Sequence, residues 1–328
     1  MGEQSRAILA LPAAALVGLA AACTSDGDDN GAARGDEGWA APVALAQGLD
    51  RPTALGQDRF VLYVASEQGL VQLVPKDGSK QRTVAESFGL AADLVVEGDD
   101  IYWIDATWGR LWTLSMSTGE PSLLAIAQAT PRRLAIDGTY LYRIDDDGQV
   151  IRTSRSDGFQ ETLSTGHQDL GGLCLDDERV YFTDRSAGLV LALPLFGGPV
   201  QYLAVTQDQP ATIAVDDTRL YWTTATAVMS LAIDEPEADP EPEVVAAQLS
   251  APNWLTAAGG HVYWSSAAAG TVSRAPKAGG DVDTIATNQS EPGALVVDAV
   301  AAYWITYGTA SGKGALYQAE YRFATADD

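Results

Sequence analysis

Beyond Trp39 the apolar residues come in short runs separated by polar turns at near-regular intervals. A run such as Leu94-Val95-Val96 or Leu134-Ala135-Ile136 is followed by a polar turn that often holds Asp or Gly. A second run, built on a tyrosine, comes next. A loop ending in Gly follows in most copies (Gly69, Gly109, Gly148, Gly188, Gly270), then a third run, a turn and a fourth run. The last turn carries pairs such as Asp77-Gly78, Asp157-Gly158 and Gly279-Gly280, which suit tight hairpins because glycine accepts positive φ. No stretch has a convincing apolar period of 3.6, so strands are expected almost throughout.

The pattern repeats. A tyrosine recurs at positions 63, 102, 142, 181, 221, 263 and 303, at intervals of 39, 40, 39, 40, 42 and 40. A period near 40 with four strands per unit predicts an all-β fold: a seven-bladed β-propeller of four-stranded antiparallel blades, rather than one of six or eight. Tyr-Trp stands intact at 102–103, 221–222, 263–264 and 303–304. Neighbours on a strand point to opposite faces, and both faces of a blade meet another blade, so both aromatics can be buried. The last unit supplies three strands, and Pro42-Val43-Ala44-Leu45-Ala46 is unclaimed. This N-terminal strand, followed by a turn at Gln47-Gly48, is expected to close the last blade as its outer strand and remove the open edge. The propeller should span residues 41–328.

The motif aliphatic-Tyr-Trp-x-[Asp/Ser/Thr] resembles the YWTD propeller repeat and is similar to NHL-type propellers of bacterial envelopes. Its fourth position here is Ser66, Asp105, Asp145, Asp184, Thr224, Ser266 and Thr306. The resemblance implies that the acidic copies are structural.

The N-terminus reads as an address. Ala7 to Ala22 is apolar or small, shorter than the roughly 20 residues that span a bilayer. Residues 1–22 fit a secretory signal. They run into Cys23 as Leu19-Ala20-Ala21-Ala22-Cys23, which resembles a bacterial lipobox. The resemblance implies an acylated Cys23 and attachment to a membrane through the lipid. An ordinary signal with an incidental cysteine is the competing reading. Residues 23–40, rich in Gly and Asp, are expected to be a flexible tether. Thr24 after the cysteine favours, by analogy, the outer membrane of a bacterial cell envelope, on its periplasmic or outer surface.

Charge narrows the function. The chain of 328 residues has 44 Asp or Glu against 20 Lys or Arg, a formal net charge of −24, which argues against a nucleic-acid partner. Two histidines and two cysteines offer no metal-site pattern, and no cofactor motif is present. Enzymes on this architecture place their groups on the face formed by loops from strand 4 to strand 1 and from strand 2 to strand 3. The first set of loops offers Arg51, Arg132, Arg133, His167, Asp169, Asp208, Asn253, Trp254 and Glu291; the second offers Glu67, Asp105, Trp108, Asp145 to Asp147, Arg185 and Tyr307. Arg51, Trp108, Arg133, Asp169, Asp208, Asn253, Trp254 and Tyr307 form the expected binding set. His167, Arg132 and Glu291 are the candidates for catalysis. The leading expectation is a binding or scaffold module for a protein or glycan partner in the envelope. The alternative is a lyase or hydrolase, lactonase-like, working at the channel mouth. Asp234 to Glu243, acidic and rich in proline, should be an exposed loop on the opposite face.

Overall fold

The structure is a computed structural model and describes residues 38–127, 129–233, 241–308 and 313–322. The signal segment, Cys23, most of the tether and residues 234–240 of the acidic loop lie outside the described residues. Every described element is a strand.

Seven antiparallel sheets follow one another along the chain. Blade 1 comprises Pro52–Gln57, Val61–Ser66, Val71–Pro75 and Arg82–Ala85, each hydrogen-bonded to the next. Blades 2 to 6 repeat this order, and the molecule is a seven-bladed β-propeller. Blade 7 takes Pro292–Val297, Ala301–Thr306 and Lys313–Arg322 from the C-terminal end. Its outer strand is Val43–Asp50 from the N-terminal end, paired antiparallel from Val43↔Gln318 to Asp50↔Lys313. The closure expected from the spare strand is therefore present.

Two details differ from expectation. No turn interrupts Gln47-Gly48; the strand continues to Asp50 and absorbs the extra residues in bulges. Inside the segment expected as a tether, Gly38–Trp39 already pairs with Arg322 and Tyr321. The Trp39 ring lies 5.3 Å from Tyr321 and 6.3 Å from Tyr263, so the clasp has an aromatic anchor.

The Tyr-Trp strand explains the core. The tyrosine of one blade shares a buried cluster with the tryptophan-site residue of the next: Tyr63 with Trp103, Tyr181 with Trp222, Tyr221 with Trp264, Tyr263 with Trp304. Trp103, Trp222 and Trp304 are fully buried. Large flat rings filling both faces of a sheet are what let seven sheets stack side by side.

The tyrosine hydroxyls, at the other end of the blade, need partners. They find them in the turn between strands 1 and 2. Tyr63, Tyr142, Tyr181 and Tyr221 donate to Asp58, Asp137, Asp176 and Asp216 at 2.5–3.1 Å. The second carboxylate oxygen of each aspartate accepts the backbone N–H groups two and three residues on, as Asp176 does from Glu178 and Arg179. One residue thus closes the hairpin and satisfies the ring. Cations from the next blade latch onto the same corner: Lys277 onto Asp216 at 2.6 Å and Lys76 onto Asp298 at 2.9 Å.

Candidate functional site at the channel mouth

The opposite face is made by the loops from strand 4 to strand 1 and from strand 2 to strand 3. The two sets are pinned together. Phe88, His167, Gln207 and Gln289 donate their backbone N–H to the carbonyls of Gly69, Gly148, Gly188 and Gly270. The approach is so close at Gly148 (φ 69°) that a Cβ there would lie 1.8 Å from the His167 carbonyl oxygen. That contact, together with the positive φ, is why the loop ends in glycine. Among the described residues, the eight non-glycine residues with positive φ (Arg51 and Glu291 included) all lie in the loops from strand 4 to strand 1. Because they recur in five of the seven such loops, they belong to the loop design.

His167 occupies a repeated position too. Gln207 and Gln289 stand fifteen residues before Trp222 and Trp304 and accept their indole N–H at 3.1 and 2.9 Å. Phe88 holds the same place before Trp103, at a ring distance of 5.2 Å. His167 stands there before Phe182, edge to face at 4.9 Å, with Nε2 2.8 Å from Ser164 Oγ. Burial lowers its pKa, against the pull of the Asp184 carboxylate. The ring is a half-buried cover over its own blade.

The strands nearest the axis show where the repeat is broken. Leu55, Leu94, Leu134, Leu173, Ile213, Leu255 and Leu295 each pair with the tryptophan-site residue of their blade. The residue before them is Ala54, Asp93, Arg133, Gly172, Thr212, Trp254 or Ala294. Four are small and three are not. In blades 1, 2, 3, 4 and 7 the register shifts just ahead of this point, and such bulges re-aim side chains. The Arg133 guanidinium lies over the Trp254 ring, 5.0 Å from its centroid. Blades 3 and 6 are not neighbours, so this cation–π contact reaches across the channel. Asp93 is buried beside Arg133, accepting the N–H groups of Leu94 and Leu134 at 2.9 Å each. Burial raises its pKa and Arg133 opposes the rise.

Two charged groups flank this bridge. On blades 3 and 4, Arg132 Nε is bonded to Asp146, while Arg132 Nη1 and Arg185 Nε each lie 3.9 Å from Asp169. On blades 7 and 1, Arg51 pairs with Glu67 at 2.8 Å. Tyr307 lies among them: burial raises its pKa, with Arg133, Glu67, Arg51 and Glu291 acting on it electrostatically. Between blades 2 and 4 is a cavity of about 300 Å³, with Arg132, Arg133, Arg185 and Asp146 on its polar side and Leu90, Ala92 and Leu170 on its apolar side.

The expected site residues therefore fall into groups. Arg51, Arg133, Trp254 and Tyr307 come together at the mouth; Arg132 and Asp169 meet beside the cavity. Trp108 is exposed at the rim, its backbone N–H held by Asp105 and its ring under the Arg110 guanidinium at 5.3 Å. Asp208 is exposed on the loop after blade 4, its carbonyl holding Ala225 N–H. Asn253 is spent on structure, accepting the Ala267 N–H at 3.0 Å and reaching the Pro292 carbonyl. Of the catalytic candidates, Arg132 on blade 3 and His167 in the loop after it share one sector of the ring, while exposed Glu291 lies apart between blades 6 and 7. Asp93 and Arg185 complete the site and were not among the expected binding or catalytic residues. Asp93 was legible as a departure from the small residues at most equivalent places in the repeat; Arg185 stands at a place where the residue varies freely (Glu67, Ala106, Asp146, Ala225, Ala267, Tyr307) and gave no such signal.

No protein-family model matches the chain, and no curated protein is similar enough in sequence to count as a relative. Solved structures do match in shape. A streptogramin B lyase structure is 10% identical with a TM-score of 0.71, covering 87% of this chain and 98% of that one. A β-propeller domain from Myceliophteria thermophila is 8% identical with a TM-score of 0.70, covering 84% and 99%. A nidogen/laminin complex structure is 17% identical with a TM-score of 0.58, covering 72% and 96%. At such identities the likeness is one of fold. It is the likeness of one β-propeller to others.

Proposed function

We propose that the chain is a lipid-anchored binding module of the bacterial cell envelope. In this reading Cys23 is acylated after removal of residues 1–22, and the loop face engages a protein or glycan partner. One observation carries the choice of face: the residues that break the repeat (Arg133, Trp254, Arg185, Glu67 and Tyr307) gather there. Their state favours binding over catalysis. The arginines face carboxylates or a ring, and His167, the histidine of this rim, covers Phe182 with its Nε2 bonded to Ser164. A general base needs a reacting proton within hydrogen-bond reach, and this ring is turned into its own blade.

Two experiments test the reading. Cys23→Ser should move the protein from the membrane to the soluble fraction; retention on membranes would remove the anchor from the proposal. Cross-linking in cells should capture an envelope partner with the wild-type chain. Capture should drop about tenfold or more when Trp108 and Arg51 are both changed to Ala, because aromatic and arginine anchors dominate such interfaces. Capture that instead depends on Phe196, exposed on the opposite face, would overturn the assignment of the face.

A further inference from the structure

We propose that the cavity between blades 2 and 4 is a binding site for a small monocarboxylate with a short aliphatic body. The inference deepens the loop-face reading, on which its biological use rests, but it stands on its own geometry.

The first argument is unspent hydrogen-bonding capacity. A guanidinium carries five N–H donors. Three arginines line one cavity, and few of their donors have partners among the described residues, although the Arg133 guanidinium also lies over Trp254. Arg132 uses Nε on Asp146, and Arg133 Nη1 donates to the Arg132 carbonyl at 3.3 Å. Arg185 meets Asp169 only at 3.9 Å, beyond hydrogen-bond distance. Three arginines gather here in a chain of net charge −24, offset by Asp93, Asp146 and Asp169.

The second argument is that the fold is cut to seat one of them. A Cβ on Gly171 would lie 2.8 Å from Arg185 Cδ and 2.9 Å from its Cγ. The arginine stem therefore lies across a first strand whose side chain has been removed. Arg132 stands at the corresponding place of blade 3. Glycine here brings a cation over the cavity rim.

The third argument fixes the ligand class. Leu90, Ala92 and Leu170 give the cavity an apolar wall, and about 300 Å³ suits a body of a few carbons. A carboxylate takes two parallel N–H bonds from a guanidinium. Asp146 and Asp169 oppose a second negative charge, which disfavours a phosphate dianion.

The test uses the full-length chain in detergent micelles, with 4-methylpentanoate and its uncharged isostere 4-methylpentanamide as probes, measured by calorimetry and ligand-observed NMR. Inorganic phosphate is a third probe. The carboxylate should bind, with the amide and phosphate each about tenfold weaker or more, since charge-assisted bonds are roughly twice as strong as neutral ones. Arg185→Gln should weaken the carboxylate about tenfold or more. Ala92→Phe should abolish binding by filling the apolar wall while leaving the arginines in place. Circular dichroism confirms that both variants are folded. Binding of neither organic probe, equal binding of acid and amide, preference for phosphate, or full affinity in folded Arg185→Gln would each overturn the site. Partner capture by the loop face is read separately. If capture persists and the acid does not bind, only this inference falls; if the acid binds and capture maps to the opposite face, only the loop-face reading falls.

Discussion

The two faces of this propeller are built on opposite rules. On the face of the hairpins between strands 1 and 2, the same unit recurs: an aspartate that closes the turn and accepts a tyrosine hydroxyl, in blades 1, 3, 4 and 5 alike. On the loop face, only the frame recurs, and the side chains at the mouth differ from blade to blade. Asp93, Arg133 and Trp254 stand in a ring where the other four residues are small. The difference teaches which residues answer to folding and which to a ligand. A contact needed by every blade is copied in the repeat, whereas a binding site needs each group once.

Mutations can break or sharpen that contrast. Tyr221→Ala should cost about 3–5 kcal/mol, because a fully buried ring between blades 5 and 6 is lost with its cavity left behind. A negligible shift of the denaturant midpoint would contradict the packing. Asp176→Ala should cost about 1–3 kcal/mol, since it leaves the Tyr181 hydroxyl and two backbone N–H groups without their acceptor. A matching loss from an equivalent aspartate such as Asp137 would confirm that the unit is generic.

The latches predict a pH dependence. Burial acts to raise the pKa of Asp216, but hydrogen bonds from Lys277 and the N–H groups of Thr218 and Arg219 outweigh it and hold the pKa below the ordinary value. The folded state therefore binds a proton less readily than the unfolded one. The stability contributed is complete above the unfolded carboxylate value near about 3.9 and is lost as pH falls through it toward the folded value. Lys277→Met should flatten that acid loss in thermal melts taken below pH 5; an unchanged slope would show that the latch is not coupled to folding.

The smallest effects belong to the loop face. His167→Gln copies the residue found in blades 5 and 7, and should change stability by under about 1 kcal/mol. Burial lowers the His167 pKa, so the folded state takes up its proton later than the unfolded state. Stability from this site is complete above about pH 6.5 and declines as pH drops below it, and the glutamine should remove that decline. Arg185→Gln, half-exposed, should stay within about 0.5 kcal/mol of wild type while affecting binding strongly. A large stability loss there would make Arg185 part of the frame.

Much of the fold was legible from the tyrosines and the spare N-terminal strand, because a period of 40 survives small insertions. The Asp–Tyr unit was equally legible, as an aspartate five residues before Tyr63, Tyr142, Tyr181, Tyr221 and Tyr303. The site was legible only in part. His167 drew notice as a rare titratable group on the rim, yet its ring covers Phe182, a contact set by which way one loop turns. Asp93 lies in an ordinary apolar strand and reveals itself only against its six counterparts.

By itself the sequence determined the number of blades, the way the ring closes and which aromatics fill the seams, because these depend on local periodicity and burial repeated seven times. Only the tertiary structure decided that Arg133 meets Trp254 across the channel and that Arg132, Arg133 and Arg185 share one cavity. Trp254 and Arg185 lie on other blades than the adjacent Arg132 and Arg133, and the packing of the blades into a ring sets the distances between them.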